Sequence, residues 1–187
     1  MELIGLYLVG CALLVAAGRA KAIHPDDTAR ALAAVVPLGL RAMRRLVRAG
    51  AVAEAALGVT ALVLPRSWTA GLVALSFAAF AAFVAYARSS GGVIASCGCF
   101  GTPDTPATRV HVAVNGALAV AAAVVAWSAP SGTLVSMLSH QPLHGVPLVA
   151  VSALCAWLVY LAVSVLAALQ AARSLTGVTF RRDATAR

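Results

Sequence analysis

The sequence predicts an all-α integral membrane protein: five transmembrane helices and one amphipathic helix lying at the membrane surface. Three features carry that expectation. Of 187 residues, 61% are hydrophobic and 11% charged, whereas a soluble domain carries about 25% charged residues. The mean hydropathy is +0.93. The apolar residues also gather into five runs near the roughly 20 residues a spanning helix needs. These features exclude a cytosolic enzyme, a nucleic-acid reader and a disordered chain. The net charge of +8 would suit nucleic acid, but the first use of arginine in a membrane protein is orientation.

The expected spans are about 3–19, 47–65, 67–88, 108–128 and 145–171, all within a single membrane domain, 1–187. The first run is uncharged from Leu3 to Gly18. Leu8-Val9-Gly10-Cys11 looks like a lipoprotein box, but it comes too early and the apolar run continues past the cysteine. A retained helix is therefore expected rather than a signal peptide. The second run carries one acid, Glu54, and the third none. The fourth is interrupted only by His111 from Val110 to Trp127, and the fifth is long enough to tilt. No strand-like alternation appears, and the Ala, Leu and Val runs favour helices packed through small residues.

Between the first two spans, His24-Pro25-Asp26-Asp27-Thr28 reads as a turn into a helix start. Arg41, Arg44, Arg45 and Arg48 then repeat at helical spacing. An interfacial helix over about 27–46 is expected, its basic stripe facing lipid headgroups. Five spans put thirteen of the fourteen Lys and Arg residues on one side, against Arg66 alone on the other. The positive-inside rule makes that side cytoplasmic and puts the N-terminus outside. The expected location is the bacterial inner (cytoplasmic) membrane, with the lipid bilayer as partner and no nucleic acid.

The chemistry concentrates in the loop after the third span, Ser96-Cys97-Gly98-Cys99-Phe100-Gly101. Two cysteines one residue apart can close a small, strained disulfide, and the intervening glycine tolerates the torsions that closure requires. Strained, accessible disulfides are the exchange-active kind. Reduced, the same pair offers two thiolates to a soft metal such as Cu, Zn or Hg. Glu54 lies about two turns inside its span, where a carboxyl is by default a functional-site hypothesis. His111 and Asn115 share one face of the fourth span, four residues apart. Asp104-Thr105-Pro106 reads as the cap and first turn of that span. Five spans bring Glu54, Cys97, Cys99, His111 and Asn115 to similar depth whichever way the chain inserts.

The string Cys97-Gly98-Cys99-Phe100-Gly101 resembles the MauE-type membrane proteins of methylamine utilisation, a branch near the DoxX-like four-helix membrane proteins. The acid Glu54 followed by Gly58, the basic first loop and Asn115 fit that resemblance, which covers roughly residues 1–128. It implies a four-helix-bundle core. It also implies thiol–disulfide chemistry in the maturation of exported, disulfide-rich proteins, alongside a thioredoxin-like partner. Those substrates lie outside, whereas the charge rule sends the Cys97–Cys99 loop to the cytoplasm.

The leading expectation is a membrane thiol–disulfide oxidoreductase. One thiolate of Cys97 or Cys99 attacks a partner disulfide and the other resolves it. His111 is the base, and Glu54, with Asn115, relays protons or anchors a polar cofactor. The alternative is a soft-metal binding or transport protein with Cys97, Cys99 and His111 as ligands. A third class is a structural subunit whose cysteines lock an assembly. Cys11 and Cys155, both mid-span, form a candidate second thiol pair, although such cysteines are more often packing residues. His140 and His144 read as loop residues. No C-x-x-C is present, which argues against direct membership of the quinone-linked disulfide-forming enzymes. A quinone remains a candidate cofactor beside the redox-active disulfide.

Overall fold

The computed structural model describes residues 3–33, 36–89, 108–128 and 145–162, with Thr133, Ser136 and Val165. The regular structure among them is entirely helical: α1 (Ile4–Ile23), α2 (Asp26–Ala33), α3 (Leu40–Val63), α4 (Ser67–Ser89), α5 (Arg109–Trp127) and α6 (Gly145–Ala162). All but α2 are long and apolar enough to cross a membrane.

The boundaries differ from expectation in the basic segment. What reads as one helix over about 27–46 is two pieces, α2 and the first turns of α3, parted around Pro37. Proline has no N–H to continue a helix, and it biases the preceding residue, Val36, away from helical torsions. Arg41, Arg44, Arg45 and Arg48 therefore ride on α3 itself. Arg44 bonds Asp26 at 2.7 Å and so braces α2 against α3. Asp27 and Arg30 form a second ion pair within α2. The first spanning helix runs on to Ile23 and takes Arg19 and Lys21 with it.

Four helices close a ring, each packing on two neighbours in the cycle α1, α3, α4, α5. Neighbours run antiparallel. One end of the bundle thus gathers the C-termini of α1 and α4 with the N-termini of α3 and α5. The core is built from Tyr7, Leu14, Val73, Phe77, Leu118 and Ala122. The helix α6 lies against α1: Leu148 and Ser152 approach Gly5, and Ala156 joins the core. Trp127 is 93% exposed, and Trp68 and Trp157 also face outward, as belt residues do.

The α1–α3 contact is unusually close, and two glycines permit it. A Cβ on Gly18 would lie 2.6 Å from the Ala51 carbonyl oxygen, and one on Gly58 would lie 2.8 Å from that of Cys11. Small residues let backbones approach where there is no hydrophobic force to drive helices together. At the opposite end of the bundle from the α1 C-terminus, only three residues, 64–66, link α3 to α4. The Thr69 hydroxyl lies within hydrogen-bond distance of three backbone groups there. It accepts from Arg66 N–H at 2.9 Å and reaches the carbonyl oxygens of Leu64 at 2.9 Å and Arg66 at 2.8 Å.

Candidate functional site

The close α1–α3 contact sets two charges side by side. Lys21 lies one turn beyond Gly18 on α1, and Glu54 one turn before Gly58 on α3. Lys21 Nζ donates to Glu54 Oε2 at 2.6 Å. Lys21 is only 6% exposed. An ammonium so enclosed is stable only when paired, and the pair neutralises both groups. The same Nζ stands 4.4 Å from the centre of the Phe80 ring on α4, where the electron-rich face adds attraction. Phe80 in turn meets Phe77 edge to face.

Lys21 and Phe80 form a partition between two spaces. On one side a lateral cleft of about 350 Å³ opens between α2, α3 and α4. Glu54 and Thr28 supply polarity there, and Leu46, Val47 and Phe83 supply apolar wall. On the other side is a small interior chamber of about 40 Å³, bounded by α1, α4, α5 and α6, to which His111 and Asn115 contribute.

His111 is held from the helix start. Thr108 is the N-cap of α5: its hydroxyl receives the His111 backbone N–H at 3.4 Å and shares a 2.7 Å hydrogen bond with His111 Nδ1. This sets the beginning of α5 at Arg109, and Asp104-Thr105-Pro106, read as its cap from sequence, lie outside the described residues. His111 is 3% exposed, and its Nε2 has no hydrogen-bond partner among the described residues. One turn on, Asn115 Nδ2 donates to the His111 carbonyl at 2.7 Å. The ring is thus fixed through Nδ1 and presents Nε2 as the atom able to take or give a proton.

The sequence-derived residues fall into three groups. Glu54, His111 and Asn115 do come to one end of the bundle, but Glu54 is engaged by Lys21 rather than standing as a lone acid. Cys97 and Cys99 lie outside the described residues, as do His140 and His144. Cys11 and Cys155 are both free thiols, the first fully buried in the core and the second exposed on α6. The structure does not join them as the candidate second pair. Among the described residues no three His, Cys, Asp or Glu side chains cluster as a metal site. Lys21 and Thr108 were missed. A signal for Lys21 existed: an acid inside a span requires a cation, and Lys21 is the only lysine in the chain.

Residues 2–128 match the family model described as methylamine utilisation protein MauE. The match runs from α1 through α5 and includes Lys21, Glu54, Cys97, Cys99, His111 and Asn115; α6 lies beyond it. No curated protein and no solved structure matches the chain.

Proposed function

The chain belongs to the MauE family of methylamine utilisation proteins, and from that premise we propose that it is a membrane thiol–disulfide oxidoreductase whose exchanging pair is Cys97 and Cys99. Its partner in this reading is a thioredoxin-like protein that serves the maturation of exported proteins. One observation carries the reading. The segment bearing the cysteines leaves α4 at Ser89 and enters α5 at Thr108, at the end of the bundle where Lys21, Glu54, His111 and Asn115 gather. Cys97 follows Ser89 by eight residues and Cys99 precedes Thr108 by nine. At no more than about 3.6 Å per residue, the chain allows Cys97 at most about 29 Å from Ser89 and Cys99 at most about 32 Å from Thr108, so both thiols are anchored from that polar end and able to reach it.

The proposed step balances without a further reactant. One thiolate attacks the partner's disulfide and releases one partner thiolate. The second cysteine then displaces the partner from the mixed disulfide, leaving Cys97–Cys99 oxidised and the partner a dithiol. The reverse sequence reduces Cys97–Cys99. His111 Nε2 takes the proton that the attacking thiol must lose, while Thr108 and Asn115 orient its ring and helix. Glu54 acts through Lys21, holding that ammonium in place. A quinone electron acceptor would be held in the lateral cleft of about 350 Å³ rather than in the chamber, where Lys21 would supply a hydrogen-bond donor to its headgroup. The basic residues at the polar end favour a cytoplasmic placement for it, with the N-terminus outside, in a bacterial cytoplasmic membrane. Lys21, paired inside the bundle, no longer counts toward that bias.

The test is maleimide labelling of cells carrying a variant that retains only Cys97 and Cys99. Labelling only after reduction is the expected result. Free labelling without reduction, together with bound Cu or Zn in purified protein, would favour the soft-metal reading. Loss of exchange in both Cys97→Ser and Cys99→Ser is also expected, and full activity in both would sink the proposal.

A further inference from the structure

We propose that the chamber between α1, α4, α5 and α6 holds a small cluster of waters joining His111 Nε2 to Lys21, and that this cluster carries a proton between His111 and the Lys21–Glu54 pair. The proton role rests on the exchange reading above; the hydration does not.

The size of the chamber decides what can occupy it. A buried water needs about 10–15 Å³ of accessible space, whereas a cavity that takes benzene is about 150 Å³. At about 40 Å³ the chamber admits roughly three waters and no ring-sized cofactor. Polarity points the same way. Purely apolar cavities of this kind stay dry, and a retained water needs two to four polar partners. Here His111, Asn115 and Lys21 interrupt a wall otherwise made of Leu13, Leu118, Val159 and their neighbours.

Each polar group has capacity to spare. His111 Nε2 is buried and unpartnered among the described residues, a condition that costs about 1–3 kcal/mol if nothing meets it. Its Nδ1 is already committed to Thr108 at 2.7 Å, so the ring cannot turn away to relieve it. Lys21 has three N–H donors, of which Glu54 takes one at 2.6 Å.

Because Lys21 and Phe80 line both spaces, the path continues past the chamber. A thiol proton taken by His111 Nε2 passes to the waters. Lys21 accepts one proton from them as it gives another to Glu54, so it remains an ammonium throughout. Glu54 then releases the proton into the lateral cleft. Among the described residues His111 and Lys21 are the titratable side chains lining the chamber, and Glu54 is the one behind Lys21. The α4 and α6 faces contribute Phe77, Phe80 and Val159, none of which titrates.

The experiment uses the full chain in lipid nanodiscs with ¹⁵N-labelled histidine, reading magnetisation transfer from water to each ring. Loss of one signal in His111→Gln assigns it. Strong transfer to His111 Nε2 is expected in the wild type, and its loss in Leu118→Phe, which fills the chamber. Val159→Phe fills it from α6 and serves if Leu118→Phe does not fold. A His111 ring without water contact in the wild type overturns the proposal. The filled variant is then assayed for exchange across pH, where a loss of about 10²-fold is expected, the scale of a lost proton-transfer group. Wild-type rates at every pH would overturn the path. If the wild type exchanges with no disulfide partner, the exchange reading fails and the proton role with it. The labelling experiment still decides the hydration by itself.

Discussion

Replacing Gly58 by alanine adds one methyl group at one of the two close approaches between α1 and α3. That carbon would sit 2.7 Å from Val15 Cγ2 and 2.8 Å from the Cys11 carbonyl oxygen. The valine can change rotamer, but the carbonyl belongs to the α1 backbone and yields only if the helix moves. Ordinary contact lies at about 3.5–4.0 Å, so the helices must part by about 0.7–1.2 Å. Overpacking of this kind costs about 1–3 kcal/mol, and alanine returns about 0.8–1 kcal/mol of helix propensity. A net loss of up to about 2 kcal/mol is expected. The same parting would stretch the 2.6 Å Lys21–Glu54 bond beyond the 2.7–2.9 Å usual for a charge-assisted hydrogen bond. Gly71→Ala is the control: it lies within α4, past its first turn, and a Cβ there meets nothing within 4 Å, so only the propensity gain remains. Both variants are compared by unfolding in mixed detergent micelles, followed by far-ultraviolet circular dichroism. Equal stability for Gly58→Ala and Gly71→Ala would refute the reasoning.

Lys21→Met alone leaves Glu54 without its cation, and breaking a buried pair costs about 3–5 kcal/mol. Because Glu54 keeps some solvent contact, about 2–3 kcal/mol is expected in the same unfolding assay. Lys21→Met with Glu54→Gln should recover most of it; strictly additive losses would contradict a direct pair. Thr108→Val removes both the cap and the Nδ1 partner of His111. It should cost about 1 kcal/mol and slow exchange without altering partner binding, measured by separating kcat from KM. Cys11→Ala combined with Cys155→Ala should exchange disulfides at close to the wild-type rate, since one thiol is enclosed and the other faces outward. A loss of tenfold or more in a partner-reduction assay would reinstate a relay through them.

The spans were legible because uninterrupted apolar runs leave a chain no other way to satisfy its backbone in lipid. Of the ring they form, only the α3–α4 pairing follows from a short link, at residues 64–66; the longer segments before α3 and after α4 leave the other neighbours to tertiary packing. The break near Pro37 was visible too, yet the arginine periodicity on its far side masked it, because spacing does not tell whether a stripe belongs to its own helix or opens the next one. Lys21 was counted with the first loop because the apolar run ends at Gly18, before the helix does. Its burial depends on Gly18 and Gly58, whose small size lets α1 approach α3, and such tertiary closeness has no periodic signature. His111 and Asn115 share a face by spacing alone. That His111 turns Nε2 inward depends on Thr108, whose cap lies closer to the helix than the proline-containing signal upstream.

The short link at residues 64–66, clasped by Thr69, makes α3 and α4 behave like the arms of tweezers joined at the back. Phe80 lies 11 residues from Thr69 along α4, about 16 Å at 1.5 Å per residue. A rotation of only about 4° at the clasp would carry Phe80 about 1 Å across Lys21 over that arm. That displacement is comparable to the slack between a made and a broken ion pair. The geometry of that lever is set by the distance from the clasp to Phe80 alone. A change of packing angle at the Trp68 side of the bundle would therefore displace the partition between cleft and chamber further than the joint itself.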